Sequence, residues 1–389
     1  MPRGARRNSV EANMNTKIVA VVGCVTALLA GVAYVVQQRE KPAAVVANAA
    51  RLFANANAAD VARVTIQQGE KKVEIAREGT AWVVASRDNF PALDDRVREL
   101  VRRVIDAEVV EEKTSNPELY ARLGVEDATQ AGAKGTLVTL AKADGGKIAG
   151  LIVGNRQEAA NWDSDKAATF VRPADGNKSY LVRSTFNAGL EPVDWMKREV
   201  LAFGSDRFWK VSVSHPGGEN VSIERATPTA EPSLTNKPEG RELLSADKPQ
   251  QVLEALASVS LDDVRKAEGL DFSQAATAVY TTYQGMTFTV RSVAADGKTW
   301  VNIAVAYDKG NAAPLTEGAT APSEETIAAI AKEAGELHAR LSPWAYQLPD
   351  WKVSNLRPLM ADMLKAPEAA APTESESALP PGLAPLSPQ

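Results

Sequence analysis

Residues 61–77 read VARVTIQQGEKKVEIAR, the pattern of a β-hairpin. Val61 to Gln67 and Lys72 to Arg77 alternate apolar and polar residues, the two-residue period of a strand with one buried face. Gln68-Gly69-Glu70-Lys71 between them carries a glycine where the chain must turn back, so the two runs pair as a hairpin. Ala81-Trp82-Val83-Val84 follows as a third strand. After Pro91 the residues Leu93, Val97, Leu100, Val101, Val104 and Ile105 recur at helical spacing, which predicts an amphipathic helix over Leu93 to Val110. Past Leu123-Gly124-Val125, short strands are expected over 136–141, 148–153, 168–172 and 179–182, divided by Gly and Asn turns.

The same order then returns. Residues 209–214 (WKVSVS) and 220–225 (NVSIER) repeat the hairpin, and residues 248–264, with Val252, Leu256 and Val259 on one stripe, repeat the helix. Gly269-Leu270-Asp271 corresponds to Gly124-Val125-Glu126, and strands are expected again at 278–282, 286–293 and 300–307. An internal repeat restricts architecture more than any single propensity. The predicted fold class is therefore α+β: two tandem, diverged α+β repeats with antiparallel sheets, over 59–200 and 201–310, the second interrupted by a Pro-rich loop at 227–244. A C-terminal helical closing segment is expected over 311–365. Its helix at 323–341 has Ser323 as N-cap and Glu324 and Glu325 in the first turn, and Pro343 ends it. Trp344-Ala345-Tyr346-Gln347-Leu348-Pro349-Asp350-Trp351 and a short helix near 356–364 complete the segment. Residues 366–389, made of Pro, Ala, Ser and Glu with few large apolar side chains, are expected to be disordered.

Upstream of the repeats, Ile18 to Val36 reads IVAVVGCVTALLAGVAYVV without a charge. A helix of that length is ~28 Å long at 1.5 Å per residue, close to the ~30 Å hydrocarbon core of a bilayer, so a single transmembrane helix is predicted. Residues 1–17 carry Arg3, Arg6, Arg7 and Lys17 against Glu11, which keeps that side cytoplasmic. The body is then exported, with a stalk at 37–58 and the lipid bilayer as first partner. Three other readings fit less well. A cleaved signal peptide needs small residues just after the apolar run, whereas Ala47-Asn48-Ala49 and Ala54-Asn55-Ala56 lie ten or more residues on. Val21-Val22-Gly23-Cys24 resembles a lipobox, but cleavage there leaves the apolar Val25 to Val36 in the mature chain. A buried core helix is usually shorter and amphipathic. Starting at Met14 would remove the three arginines and weaken the orientation argument without reversing it.

Composition narrows the chemistry. Residues 18–389 hold 40 basic and 48 acidic side chains, a net −8, with no basic stripe, so no nucleic acid is expected. The single cysteine, Cys24, lies in the apolar run, leaving the body without a disulfide framework or a Cys-based metal site. Histidine occurs at 215 and 338 alone, in contexts that read as a turn and a helix, which speaks against Ser-His-Asp catalysis and zinc. No Gly-x-Ser-x-Gly elbow occurs, and Gly145-Gly146-Lys147-Ile148 lacks the spacing of a phosphate loop. The acidic pairs Asp94-Asp95, Glu111-Glu112, Asp262-Asp263 and Glu324-Glu325 fall at or near predicted helix ends, where neighbours diverge by about 100° and dipole or solvent roles dominate. No catalytic residue, metal ligand or cofactor is assigned. Of the tryptophans, Trp82, Trp209 and Trp300 sit in strand patterns and read as core, whereas Trp344, Tyr346 and Trp351 cluster in a Pro-flanked segment that is either a clamp across the repeats or an exposed partner-binding patch.

The N-terminal anchor, the Val61 to Arg77 hairpin, Leu119-Tyr120-Ala121-Arg122-Leu123-Gly124-Val125, Leu151-Ile152-Val153-Gly154-Asn155, Ser179-Tyr180-Leu181-Val182 and Trp344-Ala345-Tyr346 together resemble the bacterial family called domain of unknown function 4340, over about Ala59 to Leu364. The resemblance implies a membrane-anchored envelope protein of the bacterial inner membrane with its C-terminal domain in the periplasm, some relatives being associated with ABC-type transport or gliding-motility systems, and it carries over no catalytic residue. The long Pro/Ala tail departs from that pattern. The expected function is a non-catalytic accessory or scaffold protein with an envelope or transporter protein as partner. A cell-wall glycan or polysaccharide binding module, suggested by the tryptophans, and a hydrolase with dispersed carboxylates stand as alternatives.

Overall fold

A computed structural model describes residues 50–157, 167–314 and 321–366. The apolar run Ile18 to Val36, residues 37–49 of the expected stalk, Trp162 and the tail from 367 onward lie outside those residues. Among the described residues no helix is long and apolar enough to cross a membrane.

The fold is mixed α+β with antiparallel sheets. The first sheet takes β1 (Arg63–Gln68), β2 (Lys71–Glu78), β3 (Ala81–Val84), β4 (Phe90–Pro91), β5 (Val109–Glu112), β6 (Thr136–Ala141), β7 (Lys147–Gln157), β8 (Ala168–Pro173) and β9 (Tyr180–Val182) in the order β4-β3-β2-β1-β6-β7-β8-β9-β5. A two-stranded ribbon of β10 (Glu199–Ala202) and β14 (Ser258–Ser260) stands apart. The second sheet takes β11 (Phe208–Ser214), β12 (Asn220–Glu224), β13 (Ser233–Leu234), β15 (Asp263–Lys266), β16 (Ala276–Thr282), β17 (Met286–Ala295), β18 (Lys298–Tyr307) and β19 (Trp344–Gln347) in the order β13-β12-β11-β16-β17-β18-β19-β15. Leaving aside β4, the two orders are the same, strand for strand.

Alternation along the strands explains the layering. Val64 and Ile66 of β1 lie opposite Ile75 and Val73 of β2, and all four are buried while their neighbours are not. Helix Asp94–Ile105 lays Val97, Leu100, Val101, Val104 and Ile105 on that face. Each such side chain contributes ~1.5–3 kcal/mol of hydrophobic free energy. In the second sheet Phe208, Tyr280 and Phe288 stack edge to face at 5.6–5.7 Å on the face that helices Lys248–Leu253 and Glu324–Leu341 share in one continuous apolar core. The Tyr280 hydroxyl donates to the Val252 carbonyl (3.1 Å), fixing the shorter helix.

Several expectations change. The helix expected over 248–264 ends at Leu253, because Ser258–Ser260 and Asp263–Lys266 are strands, and Val259 and Val264 are β-branched residues that suit a pleat. The first helix stops at Ile105, with Val109 and Val110 already in or beside β5. Residues 311–365 are not a segment outside the second sheet, since β19 runs between β18 and β15 and the long helix is the connection that delivers it. Two short helices, Asp350–Leu356 and Met360–Met363, replace the one expected near 356–364. Residues before Ala59 already belong to the fold: Leu52 N–H donates to the Ala107 carbonyl (2.9 Å), and Leu52, Phe53 and Ala56 pack on the core.

Two glycine motifs prove to be one contact. Helix Tyr120–Leu123 ends at Gly124 in the left-handed conformation (φ +69°) and sets the Leu123–Gly124 backbone directly on Gly154 of β7. A Cβ on Gly154 would lie 2.4 Å from the Leu123 carbonyl oxygen, which cannot move without undoing the turn. Gly154→Ala is expected to cost about 1–3 kcal/mol of stability, as overpacking against backbone does. Thermal melting of the variant beside Gly217→Ala, where nothing lies within 4 Å and φ is not positive, checks it, because the latter reports the same change without a steric neighbour.

Candidate functional site

Strand β19 puts Trp344 and Tyr346 on the core-facing side, two residues apart, with Ala345 and Gln347 on the other. Trp344 is 9% exposed and Tyr346 2%. The Tyr346 hydroxyl donates to the Leu341 carbonyl (3.3 Å), and burial pushes its pKa far above the usual tyrosine value. Phe90 of the first sheet meets the Trp344 ring edge to face at 5.0 Å, and Lys266 Nζ stands 3.9 Å from the ring centre.

Around that ring the edges of the two sheets join. Residues 87–90 leave β3 through Asp88 and Asn89, both left-handed (φ 53° and 62°), a conformation that Asp and Asn tolerate better than most residues. This turn aims Arg87 at Asp263 as a fork, Nε–Oδ1 2.5 Å and NH2–Oδ2 3.3 Å. Asp88 accepts the Lys266 backbone N–H at 3.0 Å, covering a donor on the β15 edge. Lys298 adds a second cation 3.6 Å from Asp263. The sequence reading passed over these residues, although Arg-Asp-Asn-Phe-Pro after a strand is a recognisable turn signal.

Trp351 stands apart from its two companions. It opens helix Asp350–Leu356 and is 63% exposed, with Lys352 Nζ 4.8 Å from its ring centre. Lys352 donates to the Ala255 carbonyl (3.0 Å), and burial lowers its pKa. Leu244 and Leu359 are also exposed on the neighbouring segments, which are tied in by the Leu244 N–H on the Met363 carbonyl (2.8 Å) and by Lys248 on Asn355 (3.3 Å). Of the three aromatics proposed together, the structure brings Trp344 and Tyr346 into the joint and leaves Trp351 with an open face.

The remaining candidates take structural places. His215 donates from Nε2 to the Pro358 carbonyl (3.1 Å), so the β11–β12 turn clasps the C-terminal segment. His338 Nδ1 accepts the Val305 N–H (3.3 Å). Asp94 accepts the Trp82 N–H (2.7 Å), and Glu324-Glu325 opens the long helix. Glu111-Glu112 and Asp262-Asp263 belong to strands or strand starts rather than helix ends, and they pair with Lys113, Lys178, Arg198 and Arg87. Trp82 and Trp300 are buried, whereas Trp209, also expected in the core, is only half-buried with Lys210 Nζ 5.5 Å from its ring centre, and Trp195 is fully buried. Among the described residues no group of three His, Cys, Asp or Glu is placed to hold a metal ion. The surface among the described residues includes a hollow of about 430 Å³ between residues 52–57 and the β6–β7 turn and another of about 370 Å³ between β5 and Leu119–Leu123.

Residues 82–277, half of the chain, match the family described as Domain of unknown function (DUF4340). No curated protein and no solved structure matches the chain.

One measurement tests the joint and a second tests the seat of the long helix. Arg87→Ala leaves the largely covered Asp263 with the more distant Lys298 as its remaining cation, beside the Val264 N–H it accepts (2.9 Å), and it should lower stability by about 1–2 kcal/mol, between the values for exposed and buried pairs. Denaturant unfolding of the variant reads this directly. Glu333, gripped by Arg207 (2.8 and 2.9 Å), has a folded-state pKa below the ordinary glutamate value because of that hydrogen-bonded pairing. Its contribution is complete above the ordinary glutamate range and is lost as pH falls through the depressed folded value. Glu333→Gln should therefore flatten the acid limb of a stability–pH curve and leave the slope above pH ~6 unchanged.

Proposed function

This chain belongs to the DUF4340 family, and we propose that it is a non-catalytic accessory or scaffold protein of the bacterial envelope that docks a transport-system or other envelope protein. In this reading the apolar run Ile18 to Val36 anchors it in the inner membrane, the acidic body stands in the periplasm, and the body is a tandem duplication of one α+β unit. The identical strand orders of the two sheets support the duplication.

The observation that carries the partner-binding reading is Trp351, exposed on a short helix with Leu244 and Leu359 on adjoining segments. Aromatic anchors ringed by apolar neighbours are the residues on which protein interfaces concentrate their binding energy. The polar groups nearby are engaged within the fold, as Lys352 on Ala255 and Lys248 on Asn355 illustrate. The same exposed indole supports the glycan-binding alternative, since a flat ring can stack on a sugar face.

Trp351→Ala separates the two. For a protein partner, a complex that survives detergent extraction and size-exclusion chromatography should weaken by about 10–30-fold, in line with ~1.4–2 kcal/mol for a truncated aromatic anchor, without a change in melting temperature. No complex with the unaltered chain, together with tryptophan-dependent binding on a glycan array, would turn the assignment to the glycan module.

A further inference from the structure

The chain approaches each sheet in the same way. On the second, the Phe203 N–H donates to the Ala257 carbonyl (2.7 Å) and Ala202 lies opposite Ser258. The pairing continues through Leu201–Val259 and Glu199–Ser260 until the Leu261 N–H reaches the Arg198 carbonyl (2.9 Å). On the first, the Leu52 N–H donates to the Ala107 carbonyl (2.9 Å), Arg51 lies opposite Glu108, and the Val109 N–H donates to the Ala50 carbonyl (3.1 Å). Matching the two patterns sets Leu52 on Phe203, Arg51 on Ala202 and Ala50 on Leu201. Val200, Glu199 and Arg198 then correspond in sequence to Ala49, Asn48 and Ala47.

In the second copy Val200 and Leu201 are buried by this approach. In the first, the outer side of β5 beyond Val109 is bare among the described residues: Val110 is 47% exposed, and past it Leu119, 37% exposed, lines the 370 Å³ hollow with Glu111, Glu112, Arg122 and Leu123. An uncovered sheet edge with apolar side chains is a place where backbone adds. Ala50 is placed on this edge by the Val109 N–H, and residues 43–49 before it read AAVVANA, uncharged and, Asn48 aside, small and apolar.

We propose that the outer edge of β5 is the docking surface for the chain's own residues 43–49, which complete there the pairing that Ala50, Arg51 and Leu52 begin. Val45 and Val46 supply the apolar side chains for the hollow, and Pro42, which has no N–H to give, marks where docking stops. One consequence rests on the membrane anchor proposed above. Docking leaves residues 37–42 as the free connection, a reach of ~20 Å at 3.3–3.6 Å per residue instead of ~45 Å for residues 37–49, so the β5 edge is held near the bilayer.

Cysteine pairs in the full-length chain, with Cys24→Ser removing the native thiol, test this. Arg51→Cys with Glu108→Cys is the reference pair, already opposite in the fold. Val46→Cys, Ala47→Cys and Asn48→Cys are each combined with Glu112→Cys, three positions to allow for the irregular register of β5 at 109–111. Intramolecular disulfide yield on a non-reducing gel should come within about threefold of the reference for at least one pair and fall at least tenfold when Val45→Asp and Val46→Asp are added to the Ala47 or Asn48 pair. All three pairs below one-tenth of the reference would overturn the proposal. So would disulfides that join two chains, which would give the edge to a second copy. A chain that cross-links as expected yet is released from membranes by salt would keep the docking and remove the anchor with its ~20 Å reach.

Discussion

Trp344 belongs to both halves of the molecule. Its strand, β19, bonds β18 on one side and β15 on the other, so the second sheet is complete only with it in place. Its ring meets Phe90 from the first sheet, and Lys266 closes over it. The ion pair of Arg87 with Asp263 and the Asp88 carboxylate on the Lys266 amide stand at the rim of this contact, where apolar packing has already excluded much of the water that would weaken them. One side chain thus links sheet closure, edge protection and the joint between the two units.

Much of this was legible in the chain because alternation is a strong signal when one face of a sheet is buried. Val64, Ile66, Val73 and Ile75 could face only one way, and a register slip of one residue would have turned all four outward. The same holds for Asp94–Ile105, whose apolar stripe has no competing period. Residues 248–264 were misleading because Val252, Leu256 and Val259 keep helical spacing by coincidence across a turn, and tertiary pairing of Val259 with Leu201 decided the matter. The four residues of β19 are too few to show a period, and between Pro343 and Pro349 they stood out as an aromatic, Pro-flanked segment rather than as a strand.

The candidate site was legible to a smaller degree. Aromatic clustering near the C-terminus pointed to the right segment, but sequence gives no means of telling the inward Trp344 from the outward Trp351, since that depends on which residue begins the strand and which begins the helix. The Arg87–Phe90 turn carries no apolar signal of its own, and its importance follows from partners about 176 residues away. Glycines at 124 and 154 were visible as motifs, whereas their contact was not.

The insertion of the long helix between β18 and β19 has a consequence for the order of events as the chain is made. In the first unit β8 passes to β9 by a short turn, so that sheet can close as soon as its own residues exist. In the second, β15 must wait with an open edge until residues 344–347 arrive, after the whole of helix Glu324–Leu341. Long-range pairings of this kind form late and expose edges meanwhile. The first unit's Arg87–Phe90 turn waits for the same moment, which makes the joint a checkpoint on chain completion: a polypeptide cut short before Trp344 lacks β19, the strand on which both the second sheet and its attachment to the first depend.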